Sequence, residues 1–137
     1  MKNVKLLMTA MAVVLFSSAV SAQLVPKGTG SDKDKHGCKL SAGYSFSVLK
    51  NDCVRLFEEK IQLKEVNPKK SYKSNATVIL SEDGTKAELF MPSAEGSLIL
   101  DKEPSKKGQL YKKGKYTLTK VKNSYTLKLA NKHVFKS

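Results

Sequence analysis

Thr77-Val78-Ile79-Leu80, Glu82-Asp83-Gly84-Thr85 and Ala87-Glu88-Leu89-Phe90-Met91 are the stretch that decides the fold. Two runs rich in β-branched and large apolar side chains flank an Asp-Gly step. Asp and Gly accept the positive φ that a tight hairpin turn demands. The stretch therefore predicts an antiparallel hairpin, ended by Pro92, which has no N–H to give to a ladder.

The same rhythm runs outward on both sides. Toward the C-terminus, Ser97-Leu98-Ile99-Leu100 is closed by Glu103-Pro104. Gln109-Leu110-Tyr111, Tyr116-Thr117-Leu118-Thr119, Tyr125-Thr126-Leu127-Lys128-Leu129 and His133-Val134-Phe135 follow. Gly114, Lys122-Asn123-Ser124 and Ala130-Asn131-Lys132 break them apart. Toward the N-terminus, Phe57, Ile61 and Leu63 alternate with Glu58, Gln62 and Lys64 until Asn67-Pro68. Short strands at even spacing with turn signals between them predict a mostly β fold: a small antiparallel barrel or sandwich of seven to eight strands.

Between Cys38 and Glu58 the period changes. Val48, Leu49, Cys53, Leu56 and Phe57 recur at spacings of three and four, which predicts one short N-terminal helix. Ser45 or Ser47 would cap its first turn. The competing reading is an irregular segment that runs straight into a strand.

The N-terminus opens with Met1-Lys2-Asn3-Val4-Lys5, then an apolar run from Leu6 to Phe16, then Ser17-Ser18-Ala19-Val20-Ser21-Ala22 before Gln23. A positive start, a short apolar core and a small-residue end are the marks of a cleavable export signal. The run falls short of the roughly 20 residues that a membrane span needs. Gln23, rather than a cysteine, follows the cleavage point, so no lipid anchor is expected. The expectation is a periplasmic or extracellular protein. Residues 1–22 are read as the signal peptide, 23–37 as a flexible leader rich in Gly, Ser and charge, and 38–137 as a single β domain. Two cysteines in an oxidising compartment predict one disulfide, Cys38 to Cys53, stapling the N-terminal segment. Closing that loop stabilises by about 3 kcal/mol in the chain-entropy model.

The inventory for catalysis is thin. The histidines are His36, in the leader, and His133, read as solvent-facing. A nucleophilic triad needs a His within reach of both its partners, and no spacing here suggests one. Two His and two bridged Cys leave too few ligands for a metal. Glu58 and Glu59 point to opposite sides if they lie on a strand. The expectation is a non-catalytic protein with neither cofactor nor metal.

Charge is the stronger signal. The chain carries a formal +13. Loss of Lys2 and Lys5 with the signal leaves +11, a balance that attracts polyanions. From Asp101 to Lys136 there are eleven lysines and two acids, Asp101 and Glu103. Lys106-Lys107 and Lys112-Lys113-Gly114-Lys115 concentrate the charge in two turns read as adjacent. One reading makes Lys106, Lys112, Lys113 and Lys115 a basic patch that docks an anionic surface polymer. The plain reading is lysine solvating exposed strands and guarding sheet edges. Arg55 is the sole arginine, and recognition of nucleic-acid phosphates and bases favours the arginine fork, so nucleic acid is a minor prospect.

From Ala87 to the end the chain resembles the periplasmic and membrane-bound inhibitors of c-type lysozyme. The residues that carry this are Leu89-Phe90-Met91-Pro92, Ser97-Leu98-Ile99-Leu100, Ser105-Lys106-Lys107-Gly108-Gln109-Leu110-Tyr111, Gly114, Tyr116, Lys120 and Tyr125-Thr126-Leu127. The resemblance implies a small exported barrel that turns a loop serine and a lysine toward lysozyme's catalytic carboxylates. Lys120 falls at roughly the family's lysine, with one residue fewer between it and Tyr111. Ser105 matches the first serine of the family's Ser-x-Ser-Gly-x-x-Tyr loop, Lys107 stands in place of the second, and Tyr111 matches the tyrosine. The family's disulfide reaches the end of the barrel, where this chain has no cysteine. The expected function is an exported binding protein, a lysozyme-inhibitor-like module whose partner is a lysozyme-like muramidase. The alternative is a basic binding module for an anionic cell-surface glycan or other polyanion.

Overall fold

The computed structural model describes residues 32–69 and 71–137; the predicted signal peptide and most of the leader lie outside them. Ten strands are formed there: β1 (Tyr44–Ser47), β2 (Asp52–Arg55), β3 (Ile61–Glu65), β4 (Asn75–Leu80), β5 (Lys86–Phe90), β6 (Leu98–Glu103), β7 (Gln109–Lys113), β8 (Tyr116–Val121), β9 (Ser124–Leu129) and β10 (Lys132–Lys136). β3 to β10 form an antiparallel meander, and β10 pairs back onto β3 to close an eight-stranded barrel. No helix of the described residues is long and apolar enough to cross a membrane.

Alternation along each strand dictates the interior. Leu63, Ala76, Val78, Ala87, Leu89, Leu100, Tyr111, Leu118, Leu127 and Phe135 pack together within it. Tyr111, Leu118, Leu127 and Phe135 lie in direct register across four successive strands. Each such side chain contributes about 1.5–3 kcal/mol by leaving water. Closure itself is thin. β3 and β10 share the pairs Phe135–Glu65 and Lys136–Lys64, with the Val66 N–H donating to the Val134 carbonyl at 3.0 Å. The opposed lysines weaken that seam by up to about 1 kcal/mol.

The Asp-Gly hairpin forms as expected between β4 and β5. Gly84 has φ +67°, and the Asp83 carboxylate accepts from Ser81 Oγ (2.6 Å), Thr85 N (3.0 Å) and Thr85 Oγ1 (2.8 Å). Those donors, Ser81 first, hold the Asp83 carboxyl down at about 2.

The expected N-terminal helix is absent. In its place β1 and β2 form a separate two-stranded hairpin, flanked by single 3-10 turns at Leu40–Ala42 and Leu56–Glu58. The apolar stripe that suggests a helix does not share one buried face: Val48 is 56% exposed and Phe57 66%, whereas Val54, outside the stripe, is buried. Asn51 at φ +51° reverses the chain, and Phe57 sits in a 3-10 turn, so the third strand begins only at Ile61. Cys38 and Cys53 are bonded, with Cα atoms 5.5 Å apart, tying the segment before β1 to β2. The ordered part reaches back into the stretch read as leader. Lys33 bridges Lys39, the Asp34 carboxylate accepts from the N–H groups of His36 and Cys38, and the His36 ring stacks on Phe46 at 3.9 Å.

This hairpin covers the outside of β4 and β5, where Ile79 and Phe90 point away from the interior and pack with Val54 and Leu56. Glu88, fully buried on the same outer face, fastens it. Its carboxylate accepts from Ser47 Oγ (2.5 Å), Val48 N (2.8 Å), Leu49 N (3.2 Å) and Ser97 Oγ. Ser47 Oγ in turn accepts from Lys50 N at 3.1 Å.

Two outcomes are expected. Glu88→Ala strands buried donors, costs about 3 kcal/mol, and removes amide-exchange protection from residues 44–55 before the barrel loses its own; equal protection across both would exclude this role. Asp83 lies below its ordinary carboxyl value, so its contribution is held above that value and lost as pH falls through about 2. NMR titration of the Asp83 carboxyl checks the midpoint, and Ser81→Ala is expected to raise it.

Candidate functional site

Strand directions gather the β4–β5, β6–β7 and β8–β9 turns at one end of the barrel. There the structure brings together residues far apart in the chain. The β6–β7 turn carries Ser105, Lys106 and Lys107, all exposed. The Ser105 hydroxyl closes this turn on itself, accepting from the Lys107 N–H and lying 3.2 Å from the Lys107 carbonyl. Gly108 follows at φ +77°, so close to β8 that a Cβ there would stand 2.0 Å from the Lys120 carbonyl oxygen. Only glycine lets the turn seat against Lys120. Gln109 and Lys120 then face each other across β7 and β8.

Lys120 is half-buried, with its ammonium 5.4 Å from the centre of the Tyr125 ring. Tyr111 lies wholly inside the barrel beneath them, its hydroxyl 3.1 Å from the Gly84 carbonyl and 3.3 Å from Gln109 Oε1. Burial pushes the Tyr111 phenol up; the nearby Tyr125 adds to this and Lys120 opposes it. Tyr111 thus ties the β4–β5 turn to β7 and presents no surface of its own. Among the described residues neither Lys107 nor Lys120 is in an ion pair. The end therefore offers two ammonium groups without an ion-pair partner among the described residues, Lys107 on a turn braced by backbone packing and Lys120 on β8, a geometry suited to carboxylates.

The basic patch is not one surface. Lys106 lies in the β6–β7 turn, while Lys112 and Lys113 end β7 and Lys115 sits in the β7–β8 turn at the opposite end. The length of β7 separates the two clusters by about 15 Å. Reading the two turns as adjacent is therefore corrected: closeness in sequence is spanned by a strand. Lys112 is also neutralised by Glu103 at 3.1 Å.

A concavity lies between the N-terminal hairpin and the barrel wall. It is a groove of about 330 Å³ whose walls include Tyr44, Leu56, Phe57, Asn75, Phe90 and Met91. The Arg55 guanidinium sits over the Tyr44 ring at 4.8 Å and bonds Glu58 at 3.0 Å, while its buried Nε has no partner among the described residues. No local sequence signal marks this groove, because it depends on a hairpin where the apolar spacing suggests a helix. Glu88 was equally silent: an acid inside an apolar strand is the one cue it gives.

Comparison with protein-family models, with curated proteins and with solved structures found no match to this chain.

Gly108→Ala forces a Cβ against the β8 backbone at positive φ and is expected to cost about 3 kcal/mol. Thermal unfolding checks the cost, and amide shifts at Lys120 check that the loss is local to this contact.

Proposed function

We propose that the chain is an exported, non-catalytic binding protein that presents the Ser105–Gly108 turn and Lys120 to the acidic cleft of a lysozyme-like muramidase. The observation that carries this is the seating of Gly108 on the Lys120 carbonyl. It braces the β6–β7 turn against the strand that carries Lys120, at one end of the barrel. The resemblance to lysozyme inhibitors supports the choice of partner, and a closed antiparallel barrel is the architecture it implies.

The chemistry follows from the target. Glycoside hydrolysis uses two carboxyl groups, one of which must be protonated to release the leaving group. An ammonium placed beside that acid favours its charged form and so removes the proton it must donate. Lys107 in place of the second loop serine gives this chain two cations, Lys107 and Lys120, where the family has a hydroxyl and one cation. Both proteins would be basic, so long-range steering opposes their encounter and added salt relieves it. Export is the companion proposal. It rests on the pattern of residues 1–22 and on the Cys38–Cys53 bond, which an oxidising compartment sustains.

The test is a lysis assay with purified protein titrated against a c-type lysozyme at low and physiological salt. Stoichiometric inhibition is expected at both, weakened by about tenfold or more in Lys120→Ala. Absence of inhibition at any ratio would sink the reading. N-terminal sequencing of protein from the cell envelope is expected to begin at Gln23, and a start at Met1 excludes cleavage.

A further inference from the structure

Barrel closure creates a charged surface that no stretch of sequence displays. β3 and β10 meet with Lys64 directly opposite Lys136, and Lys136 also lies opposite Thr126 on β9. Two residues along β9 stands Lys128, opposite His133 on β10 and Thr117 on β8. Residues directly opposite in a sheet have Cβ atoms about 5 Å apart and diagonal neighbours about 7–8 Å. Three lysines and a histidine therefore share one patch of the outer wall.

Three observations say that this patch is built to meet an anion. First, it holds no compensating acid side chain. Glu103 is the last acid in the sequence, so β7 to β10 contain none. Glu65, beside Lys64, is paired with Phe135 on the interior face, and its carboxylate accepts from Ser74 N at 3.3 Å. Lys64, Lys128 and Lys136 take part in no ion pair among the described residues. Second, a register shift between His133 and Phe135 is what sends Lys136 outward. Unbroken pairing from His133–Lys128 would set Phe135 against Thr126 on the outer face and turn Lys136 inward against Tyr125. Bulges of this kind re-aim side chains and gather beside functional sites. Third, one of the two ordinary reasons for lysines on a strand, protecting an open edge, does not apply where the sheet closes on itself.

We propose that the outer wall of β9, β10 and β3 is a docking surface for a linear anionic polysaccharide. Charge complementarity selects a polyanion. The chemistry of the patch selects the class. Lysine ammonium groups are compact charges that suit carboxylate or sulfate groups without needing the planar fork that phosphate recognition favours. The hydroxyls of Thr126 and Thr117 lie in register with these lysines and match sugar hydroxyls. Among the described residues the patch carries a single exposed ring, the His133 imidazole, rather than the succession of aromatic rings on which the bases of single-stranded nucleic acid stack. The surface runs along the side of the barrel, whereas Lys107 and Lys120 occupy its end, so the two proposals are independent.

The test is binding of the purified protein to polygalacturonate, to dextran sulfate and to a duplex DNA, by titration calorimetry across a salt series. The triple variant Lys64→Gln/Lys128→Gln/Lys136→Gln is compared with Lys106→Gln/Lys113→Gln/Lys115→Gln, which removes the same charge at the barrel ends. The wall variant is expected to bind polysaccharide at least about tenfold more weakly, with a salt slope lower by about two. The end variant is expected to lose less than about threefold. Thermal unfolding of the wall variant should be unchanged or raised, since a like-charge contact is removed. Equal losses in the two variants would show net charge alone at work and overturn the proposal. So would no polysaccharide binding at low salt, or tighter binding of duplex DNA through the same lysines.

Discussion

Closure of the sheet between β3 and β10 is the constraint on which the rest of the molecule depends. Strands of five or six residues cannot form a stable open sheet with both faces wet, because each strand presents only two or three apolar side chains. Joined into a ring, the same side chains face one another, and Leu63, Leu118 and Leu127 become inaccessible to water. Closure also removes the unpaired backbone edges that would otherwise invite a second chain. The seam is short and sets two lysines against each other, so the apolar belt inside carries most of its stability.

The inside of the barrel leaves one region of the outside unfinished. Ile79 and Phe90 project outward from β4 and β5, and Glu88 lies on the same face, directly opposite Ile79. A bare patch of this kind would expose apolar surface, and a buried acid without partners would be costly. The N-terminal hairpin answers both needs at once: Val54 and Leu56 cover the apolar side chains, while Ser47 and the Val48 and Leu49 amides take the carboxylate. Glu88 is held by neutral donors rather than by a counter-charge, so its docking depends on geometry more than on ionic strength. The disulfide then keeps the polypeptide before β1 against β2.

Side chains fill the interior, and the two proposed sites lie on a turn and on the outer wall. The β6–β7 turn is rigid for a turn, because Ser105 closes it and Gly108 is pressed onto β8. Rigid presentation matters to a binding protein, since a side chain already held in place loses less freedom on association. The wall of β9, β10 and β3 is cationic and has the opposite character: its lysines are long, flexible side chains on the outside of the ring. The two proposals thus rest on clusters of different character at different places on the barrel.

Much of the strand pattern was legible locally. The Asp83-Gly84 turn, the alternation around Leu118 and Leu127 and the breaks near Gly114 and Lys122-Asn123 are short-range features, and each sits where expected. So does the pairing of the two cysteines, since no other thiol competes. The N-terminal segment departs from its expected helix, because five apolar residues at helical spacing are a local signal, whereas the hairpin is chosen by what it covers, and Glu88 on that surface lies 39 to 41 positions beyond its partners. Of the proposed end site, Ser105, Lys107 and Lys120 were visible as residue types, but their meeting needs the register of β7 on β8. The lysine turns looked like neighbours because a sequence does not display the length of the strand between them. Lys64 and Lys136 became neighbours only when the ring closed. The sequence by itself determined the short strands, their turns, the disulfide and the excess of positive charge, because each depends on residues near one another or on composition. Barrel closure, the hairpin docked on Glu88 and the grouping of lysines were decided by tertiary structure, because they depend on pairings between residues that only the folded chain brings together.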